Sequence, residues 1–160
     1  GENFDGLATV SGTQTQAAVA DPSGKPAGFG KLLATRRGKT KVRTARAQAN
    51  GFVMHPLDWE GFEEISDNDG RFYGDGPFTS GDQASLWGLP VVESEAIAQG
   101  TCWVGDFSKS ILYDRQQSTL TTTDSHGDLF IRNIVVILAE LRAAFAVIQP
   151  SAFCEVDLVV

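Results

Sequence analysis

The sequence has 160 residues, a net charge of −7 at neutral pH and 42% hydrophobic residues, which suit a folded domain with a core of its own. No apolar run approaches the roughly 20 residues of a membrane-spanning helix, so no membrane partner is expected. The only cysteines, Cys102 and Cys154, lack metal-ligand spacing and are expected to be buried thiols rather than a disulfide.

The basic residues are concentrated in one segment of the chain. No acidic residue lies between Asp21 and Asp58, and eight of the 13 lysines and arginines fall within that interval. A basic segment on an acidic body can bind nucleic acid, or an acidic patch on a second copy of the same protein. It can also be merely the solvated face of a helix. The candidate subunit-interface residues in this segment are Arg36, Arg37, Lys39, Lys41, Arg43 and Arg46.

The first third of the chain predicts a lead-in followed by a helix. Residues 1–30 are rich in Gly, Thr, Gln and Ser and indicate an extended segment or loop. Residues 31–49 have helix-forming composition, and Asn50-Gly51 is expected to end that helix as a C-cap. Gly38 should weaken the helix by about 1 kcal/mol relative to alanine.

The middle of the chain predicts short strands around a second helix. Residues 52–54 indicate a buried strand, and proline at position 56 suits the first turn of a helix over 56–65. His55, at the junction, is expected to be a hydrogen-bonded structural residue. Further strands are predicted within 87–92 and at 101–107, followed by a strand pair formed by 111–114 and 118–122.

The stretch "SLWGLPVVES" at 85–94 contains no group that could donate a proton, hold a metal or attack a substrate. Gly88 permits an unusual backbone conformation and Pro90 fixes the chain direction, so its role is predicted to be structural. Its large residues are expected to supply apolar contacts: Trp87, Leu89, Val91 and Val92. We also expect both Trp59 and Trp87 to be largely buried.

The tail is ambiguous between helix and strand. Ala, Leu and Glu at 138–144 favour a helix, whereas the β-branched residues before them favour a strand. The polar residues Arg132, Glu140 and Arg142 share one parity, which suits a strand with one partly wetted face. We therefore predict strands, with a second one over 153–159.

No convincing active site emerges from the sequence. The consecutive residues Asp124, Ser125 and His126 rarely converge as a catalytic triad requires. The DNDG stretch at 67–70 resembles a calcium loop, but Arg71 and Phe78 occupy positions that need oxygen ligands. Gly74-Asp75-Gly76 lacks the lysine and helix of a phosphate loop. We expect no enzyme activity, metal, cofactor or small-molecule substrate.

Five segments occur in an order that resembles a known family. They are "VMHPLDWEGFEEISDNDGRF", "LWGLPVV", "WVGDF", "LYDRQ" and "FIRNIVVILAELRAAFAVIQPSAF". From about residue 30 to the end, the chain resembles the C-terminal part of tailed-phage major capsid proteins, which have the Hong Kong 97-type fold.

The resemblance implies an α+β fold. Residues 1–127 would form mainly the axial domain, a sheet with flanking helices, with residues 1–30 as its lead-in. Residues 128–160 would be strands returning to the peripheral domain. The arm, extended loop and spine helix usual upstream in that family are not recognisable, so we expect a processed or engineered fragment, or the ordered part of a longer chain.

The resemblance also implies a structural function. A full-length subunit would associate with copies of itself into hexamers and pentamers that enclose DNA non-specifically, in a virion capsid made in the bacterial cytoplasm. One alternative is an encapsulin-type shell, which encloses enzymes. An alternative from another class is a small nucleic-acid-binding module that uses the basic helix at 31–46.

Two residues are crosslink candidates on the resemblance alone. Some family members join subunits by an isopeptide bond between a lysine and an asparagine, assisted by a glutamate, and Asn133 and Glu140 stand at the matching positions. The lysine would lie in the extended loop. The plainer interpretation is that Asn133 caps a strand edge and Glu140 pairs with Arg132 or Arg142.

Overall fold

The structure is a computed structural model that describes residues 6–67, 69–73, 84–125 and 127–159. Its helices are α1 (Phe29–Thr44) and α2 (Pro56–Glu63), with short 3-10 turns at 7–9, 107–109 and 150–152. The strands are β1 (Gln14–Gln16), β2 (Gly51–Met54), β3 (Ser85–Leu86), β4 (Leu89–Glu93), β5 (Thr101–Gly105), β6 (Ser110–Thr123), β7 (Val136–Val147) and β8 (Phe153–Asp157). This mixture confirms the α+β prediction.

Six of the strands form one mixed sheet in the order β1-β8-β5-β2-β4-β3. Strands β1 and β8 run parallel, as do β2 and β4, while the other neighbours are antiparallel. The central strands are apolar, with Phe52, Val104 and Val156 fully buried. The core therefore lies between this sheet and the helices, since the buried residues of α1 and α2 belong to the same cluster.

Helix α1 lies unusually close to the sheet at Gly38. A Cβ atom at this position would lie 2.5 Å from Val156 Cγ2 and 3.2 Å from Val104 Cγ1. The neighbouring Ala34, Thr35 and Val42 are likewise fully buried. Glycine at position 38 therefore does more than lower helix propensity, because it permits the contact between α1 and strands β5 and β8.

The end of α1 corrects the sequence prediction of a helix over 31–49 capped by Asn50-Gly51. The helix ends at Thr44, and Arg46 adopts a left-handed φ of 62°. The Arg46 amide donates to Arg43 O at 3.1 Å, and the Ala47 amide donates to Val42 O at 3.3 Å. This is the Schellman pattern, in which the apolar residue after the turn packs back on the helix. Gly51 instead begins β2.

The lead-in segment, residues 6–28 of the described chain, packs against the domain through backbone pairing and hydrogen bonds. Strand β1 pairs with β8, and the Asp21 carboxylate accepts hydrogen bonds from the amides of Gly28 at 2.9 Å and Gly30 at 2.6 Å. These two bonds lower the pKa of Asp21 from its usual 3.8. Gly30 is also pressed against the Val19 carbonyl, where no Cβ would fit. Asp21 thus caps α1 from a segment seven to nine residues away.

Helix α2 begins as predicted. The His55 ring accepts a hydrogen bond from the Leu57 amide at 3.2 Å, which confirms its structural role. Asp58 is buried, and its carboxylate accepts from the Gly100 amide at 2.7 Å. Phe62 is buried in the core, whereas Trp59 is only half-buried and packs beside it with a ring-centre distance of 6.1 Å.

Strands β6 and β7 form a separate long antiparallel hairpin. The expected strand pair of 111–114 with 118–122 is therefore wrong, because both segments belong to β6. Two irregularities, between 114 and 119, interrupt the pairing without ending the strand. The polar, turn-like residues in this interval mark β-bulges rather than a loop.

The prediction of strands in the tail is confirmed by β7 and β8, but it is wrong for residues 128–135, which precede β7 and include a helical turn. Strand β8 pairs with β5 in the six-stranded sheet, and β7 pairs with β6, so strands on both sides of the division at 127/128 are hydrogen-bonded to each other. Their assignment to axial and peripheral domains stays a prediction.

The two cysteines are buried and unlinked, as expected. Burial raises the pKa of the Cys154 thiol to about 11 and raises that of Cys102 still further. Both thiols are consequently unreactive near neutral pH.

Gly38→Ala should destabilise the protein although alanine is the better helix former. Steric overlap with Val156 costs about 1–3 kcal/mol and exceeds the propensity gain of about 1 kcal/mol, so the melting temperature should fall by several degrees. Gly61→Ala in α2 is the matched control, because its new Cβ would meet only the flexible end of Lys31. A Gly38→Ala variant as stable as Gly61→Ala would contradict the close packing.

Asp21→Asn should weaken the attachment of the lead-in in a pH-dependent way. Because the folded pKa of Asp21 lies below its unfolded value, its charge stabilises the fold above about pH 4, and this contribution disappears as the pH falls through the folded pKa. Thermal denaturation should show a deficit of at most about 1 kcal/mol for the variant near neutral pH, since the carboxylate is exposed. The deficit should shrink in acid, and a pH-independent difference would contradict this prediction.

Candidate functional site

The basic residues of α1 are divided between two flanks of the helix. Arg36, Lys39 and Arg43 are spaced three and four residues apart and share one face, whereas Arg37 and Lys41 lie on another. Arg46 follows the helix end. The six candidate interface residues are thus not a single cluster.

Some of these cations are bound within the chain. Lys39 Nζ donates to the Trp87 carbonyl at 2.6 Å, and Lys41 Nζ donates to the Thr15 carbonyl at 2.5 Å. Among the described residues, the one ion pair within 4 Å joins Asp128 and Arg132. Within that part of the chain, the cations of α1 therefore have no carboxylate partner.

The turn between β3 and β4 presents Trp87 to solvent. Trp87 and Gly88 have φ values of 54° and 73°, so both central residues are left-handed, as in a type I′ hairpin turn. This conformation costs a bulky residue about 1–2 kcal/mol.

The burial predicted for Trp87 is wrong, since 42% of its surface is exposed. Val92 is exposed as well, while Val91 is buried and Leu89 is half-buried. Trp87 is nevertheless held in place, because its indole N–H donates to Thr35 Oγ1 at 3.2 Å. The Arg36 guanidinium lies 6.0 Å from its ring centre. Nothing in the sequence pattern distinguishes such an aromatic from a core residue.

The β6–β7 hairpin exposes a predominantly apolar face. Opposed residues of an antiparallel pair point the same way, so the pairs Leu112–Phe145 and Leu120–Ala139 share a face with Ile137 and Leu141. The opposite face is mixed, since it carries Glu140, Arg142 and three threonines beside Tyr113 and Leu138. The predicted partly wetted side is therefore confirmed for Glu140 and Arg142, whereas Arg132 lies in the turn before β7. Beyond the strands, Phe130 and Ile131 are also exposed, Ile131 by 85%.

Asn133 has a local structural role at the start of β7. Residues 128–133 form a helical turn in which the Asn133 amide donates to Phe130 O and the Ile134 amide donates to Leu129 O. Asn133, with a φ of 54°, is the left-handed residue of this Schellman pattern, a position asparagine tolerates well. It therefore ends a helical turn rather than capping a strand edge.

Glu140 lies on the mixed face of the hairpin, opposite Thr119. It is exposed, and it makes no ion pair with either arginine suggested for it. Strand β7 begins after Asn133, and four residues of strand span about 13 Å, so the two crosslink candidates are not adjacent along the chain. This isolated chain does not give Glu140 the apolar surroundings that would favour a base.

Other chemistry has little support among residues 6–67, 69–73, 84–125 and 127–159. No group of three or more His, Cys, Asp or Glu there could hold a metal ion. Asp124 and Ser125 follow β6, while His126, Gly74-Asp75-Gly76 and Phe78 lie outside the described residues. No helix in the described part is long and apolar enough to cross a membrane.

The fold is that of Hong Kong 97-type capsid proteins. Solved structures similar to this chain include the capsid of an empty GTA particle, with a TM-score of 0.72 and 18% identity over 99% of this chain and 55% of that one. A solved structure from Gordonia phage Cozz has a TM-score of 0.66 at 21% identity, covering 91% of this chain and 49% of that one. A virus-like particle from Pyrococcus furiosus has a TM-score of 0.63 at 12% identity, covering 94% and 58%.

The sequence comparison is more specific. The model of the phage capsid family matches residues 1–158, and the chain belongs to that family. It is 34% identical over 158 residues to the major capsid protein of Enterobacteria phage HK97, covering 97% of this chain and 39% of that protein. The chain thus spans well under two thirds of the length of these relatives.

Proposed function

We propose that this chain is part of a structural subunit of an icosahedral phage-type capsid. Copies of the subunit associate into hexamers and pentamers that enclose DNA, and the subunit is made in the bacterial cytoplasm before it enters the virion. The observation that carries the proposal is the continuous match to the HK97 major capsid protein over nearly the whole chain. The role is structural rather than catalytic.

The β6–β7 hairpin supports this role physically. Its apolar face leaves Leu120, Ile137 and Leu141 exposed side by side, and contiguous exposed apolar residues mark sites of contact with other protein. Such a face is stable when other protein covers it. In a closed shell, neighbouring subunits can cover this apolar face.

The charges of the chain support contacts between copies. The basic face of α1 has no carboxylate partner among the described residues, and α2 and the turn after it carry acidic residues. We propose that the six basic candidates contact these acids on a neighbouring copy: Glu60, Glu63, Glu64 and Asp67. Exposed pairs contribute about 0–1 kcal/mol each, so the effect is collective.

An encapsulin-type shell is the second candidate. The likeness to the virus-like particle of Pyrococcus furiosus favours it, although the identity is only 12%. The two shells differ in what they enclose. Nuclease-protected DNA in purified particles supports the capsid, whereas particles that contain protein cargo and no DNA support the alternative.

The nucleic-acid-binding module has weaker support. Lys39 and Lys41 are engaged by carbonyls of their own chain, and the remaining cations lie on different flanks of α1. Random-sequence DNA should bind weakly to the chain at physiological salt. Tight binding whose affinity falls steeply with salt concentration, without particle formation, would favour the module.

Reversing Arg36, Arg37 and Arg43 to Glu should impair capsomer formation at low salt. The variant replaces attraction to the neighbouring acids by repulsion, while these exposed side chains are not needed for the core. Size-exclusion chromatography and electron microscopy of the assembling subunit measure the loss, which should be tenfold or more. An unchanged yield of capsomers from a folded variant would discard the contact.

A covalent link through Asn133 is a separate prediction. A lysine amine of a neighbouring copy would attack the Asn133 side-chain carbon and form an isopeptide bond, with ammonia as the leaving group. Because Glu140 of the same chain lies far along β7 from Asn133, Glu140 of another copy would accept the amine proton and return it to the departing nitrogen. Covering of the hairpin by neighbouring protein would supply the apolar surroundings this step needs.

Gel electrophoresis of mature particles boiled in detergent tests the link. A ladder of covalent oligomers is expected, and it should vanish in Asn133→Asp and Glu140→Gln. Asn133→Gly is the sharpest variant, since glycine also suits the left-handed position and should preserve the turn. A single monomer band from wild-type particles would end the hypothesis.

A further inference from the structure

Trp87 combines a strained backbone with a fixed, partly exposed ring. Both central positions of its turn are left-handed, a geometry that favours Asn, Asp or Gly at the first of them. A bulky aromatic residue there is an outlier, and such outliers concentrate at functional sites. The turn alone therefore does not account for tryptophan at this position.

Three contacts with α1 hold Trp87 in place. Its indole N–H is bound to Thr35, its carbonyl accepts from Lys39, and the Arg36 guanidinium lies near its ring. The orientation of the ring is thus set before any partner arrives, yet 42% of the residue remains exposed. A preorganised, exposed tryptophan beside arginine is typical of the residues that dominate binding energy at protein interfaces.

Trp87 adjoins one particular face of α1. We define the Trp87 patch as Trp87 with Arg36, Lys39 and Arg43, whose helix positions are spaced by three and four residues. The patch joins an apolar anchor to positive charge. It fits a partner that offers an apolar side chain with carboxylates arranged at a matching spacing.

Helix α2 and its C-cap offer such a surface. Leu57, Glu60 and Glu64 are also spaced by three and four residues, so they share a face that we call the acidic stripe. All three are exposed, and 53% of Leu57 is accessible although it is apolar. Within the described residues, neither glutamate forms an ion pair.

We propose that the Trp87 patch binds the acidic stripe of a second copy, with Trp87 against Leu57 and the arginines facing Glu60 and Glu64. This inference rests on the proposed function, since it needs copies to meet. The two surfaces differ, so the contact is heterologous, and repeated head to tail it closes a ring. It identifies which of the basic residues act and adds Trp87 and Leu57 as anchors.

Trp87→Asn is the first test. Asparagine suits the left-handed position, so the fold should be retained, while the aromatic anchor is lost. Capsomer yield at fixed subunit concentration should fall at least tenfold without a matching fall in melting temperature. Leu57→Ala should cause a similar loss, and the double variant should be no worse than either single one, because both remove the same contact.

Charge reversal gives a second, independent test. One variant carries Arg36→Glu and Arg43→Glu, and another carries Glu60→Lys and Glu64→Lys. Each alone should fail to form capsomers. An equimolar mixture should form rings in which the two variants alternate, and these rings should contain even numbers of subunits, since every contact then joins opposite charges. Lys25→Glu, which reverses an exposed cation of the lead-in outside the six candidates, is the matched control and should assemble normally.

These experiments distinguish failure of the Trp87 contact from failure of the proposed capsid function. If wild-type subunits form no capsomers, the proposed function fails. If they assemble and Trp87→Asn, Leu57→Ala and the reversed variants assemble equally well, the capsid role stands and the Trp87 contact is wrong. Failure of the mixture, when each reversed variant is folded, would likewise overturn the pairing of patch and stripe.

Discussion

The contact between α1 and strand β8 sets the arrangement of the whole domain. At Gly38 the helix approaches the sheet so closely that no side chain fits between them. The helix is thereby fixed across β5 and β8, with Val42 and Thr35 on the same buried side. The opposite side of the helix must then face water, which explains why Arg36 and Arg43 are exposed without any specific demand on their charge.

The second consequence of this packing concerns the hairpin. Strands β5 and β8 are neighbours in the sheet, yet the chain leaves the sheet after β5, forms the β6–β7 hairpin and returns as β8. An antiparallel pair needs only a short turn. The long excursion is therefore not required to complete the sheet, and its apolar face is not consumed by the core. The exposed side chains of the hairpin can therefore contact other protein molecules. This agrees with the proposal that the subunit acts through contacts with its neighbours.

Sequence patterns predicted the elements whose signals are local. The apolar run at 52–54 and the alternation of tail residues around Glu140 and Arg142 indicate strands correctly, because strand side chains alternate between two faces. For Gly38, helix propensity predicts only the cost of glycine in a lone helix, whereas the requirement for glycine comes from Val156, which is distant in sequence. Likewise, hydrophobicity places Trp87 in the core, and only its turn and its contacts with α1 place it at the surface.

The non-glycine residues with positive φ show that the left-handed backbone conformation occurs for different structural reasons. Among the described residues these are Arg46, Trp87 and Asn133. Arg46 and Asn133 each complete a Schellman hydrogen-bond pattern, so the conformational cost is offset by carbonyls that would otherwise lack partners. Trp87 lies in a hairpin turn that glycine or asparagine would form with less strain, and its indole hydrogen bond leaves much of the ring in water. Within one chain, the contacts of Trp87 therefore compensate only partly for the cost of its left-handed backbone conformation. Contact with a second molecule that covers the exposed ring would supply the remaining stabilisation.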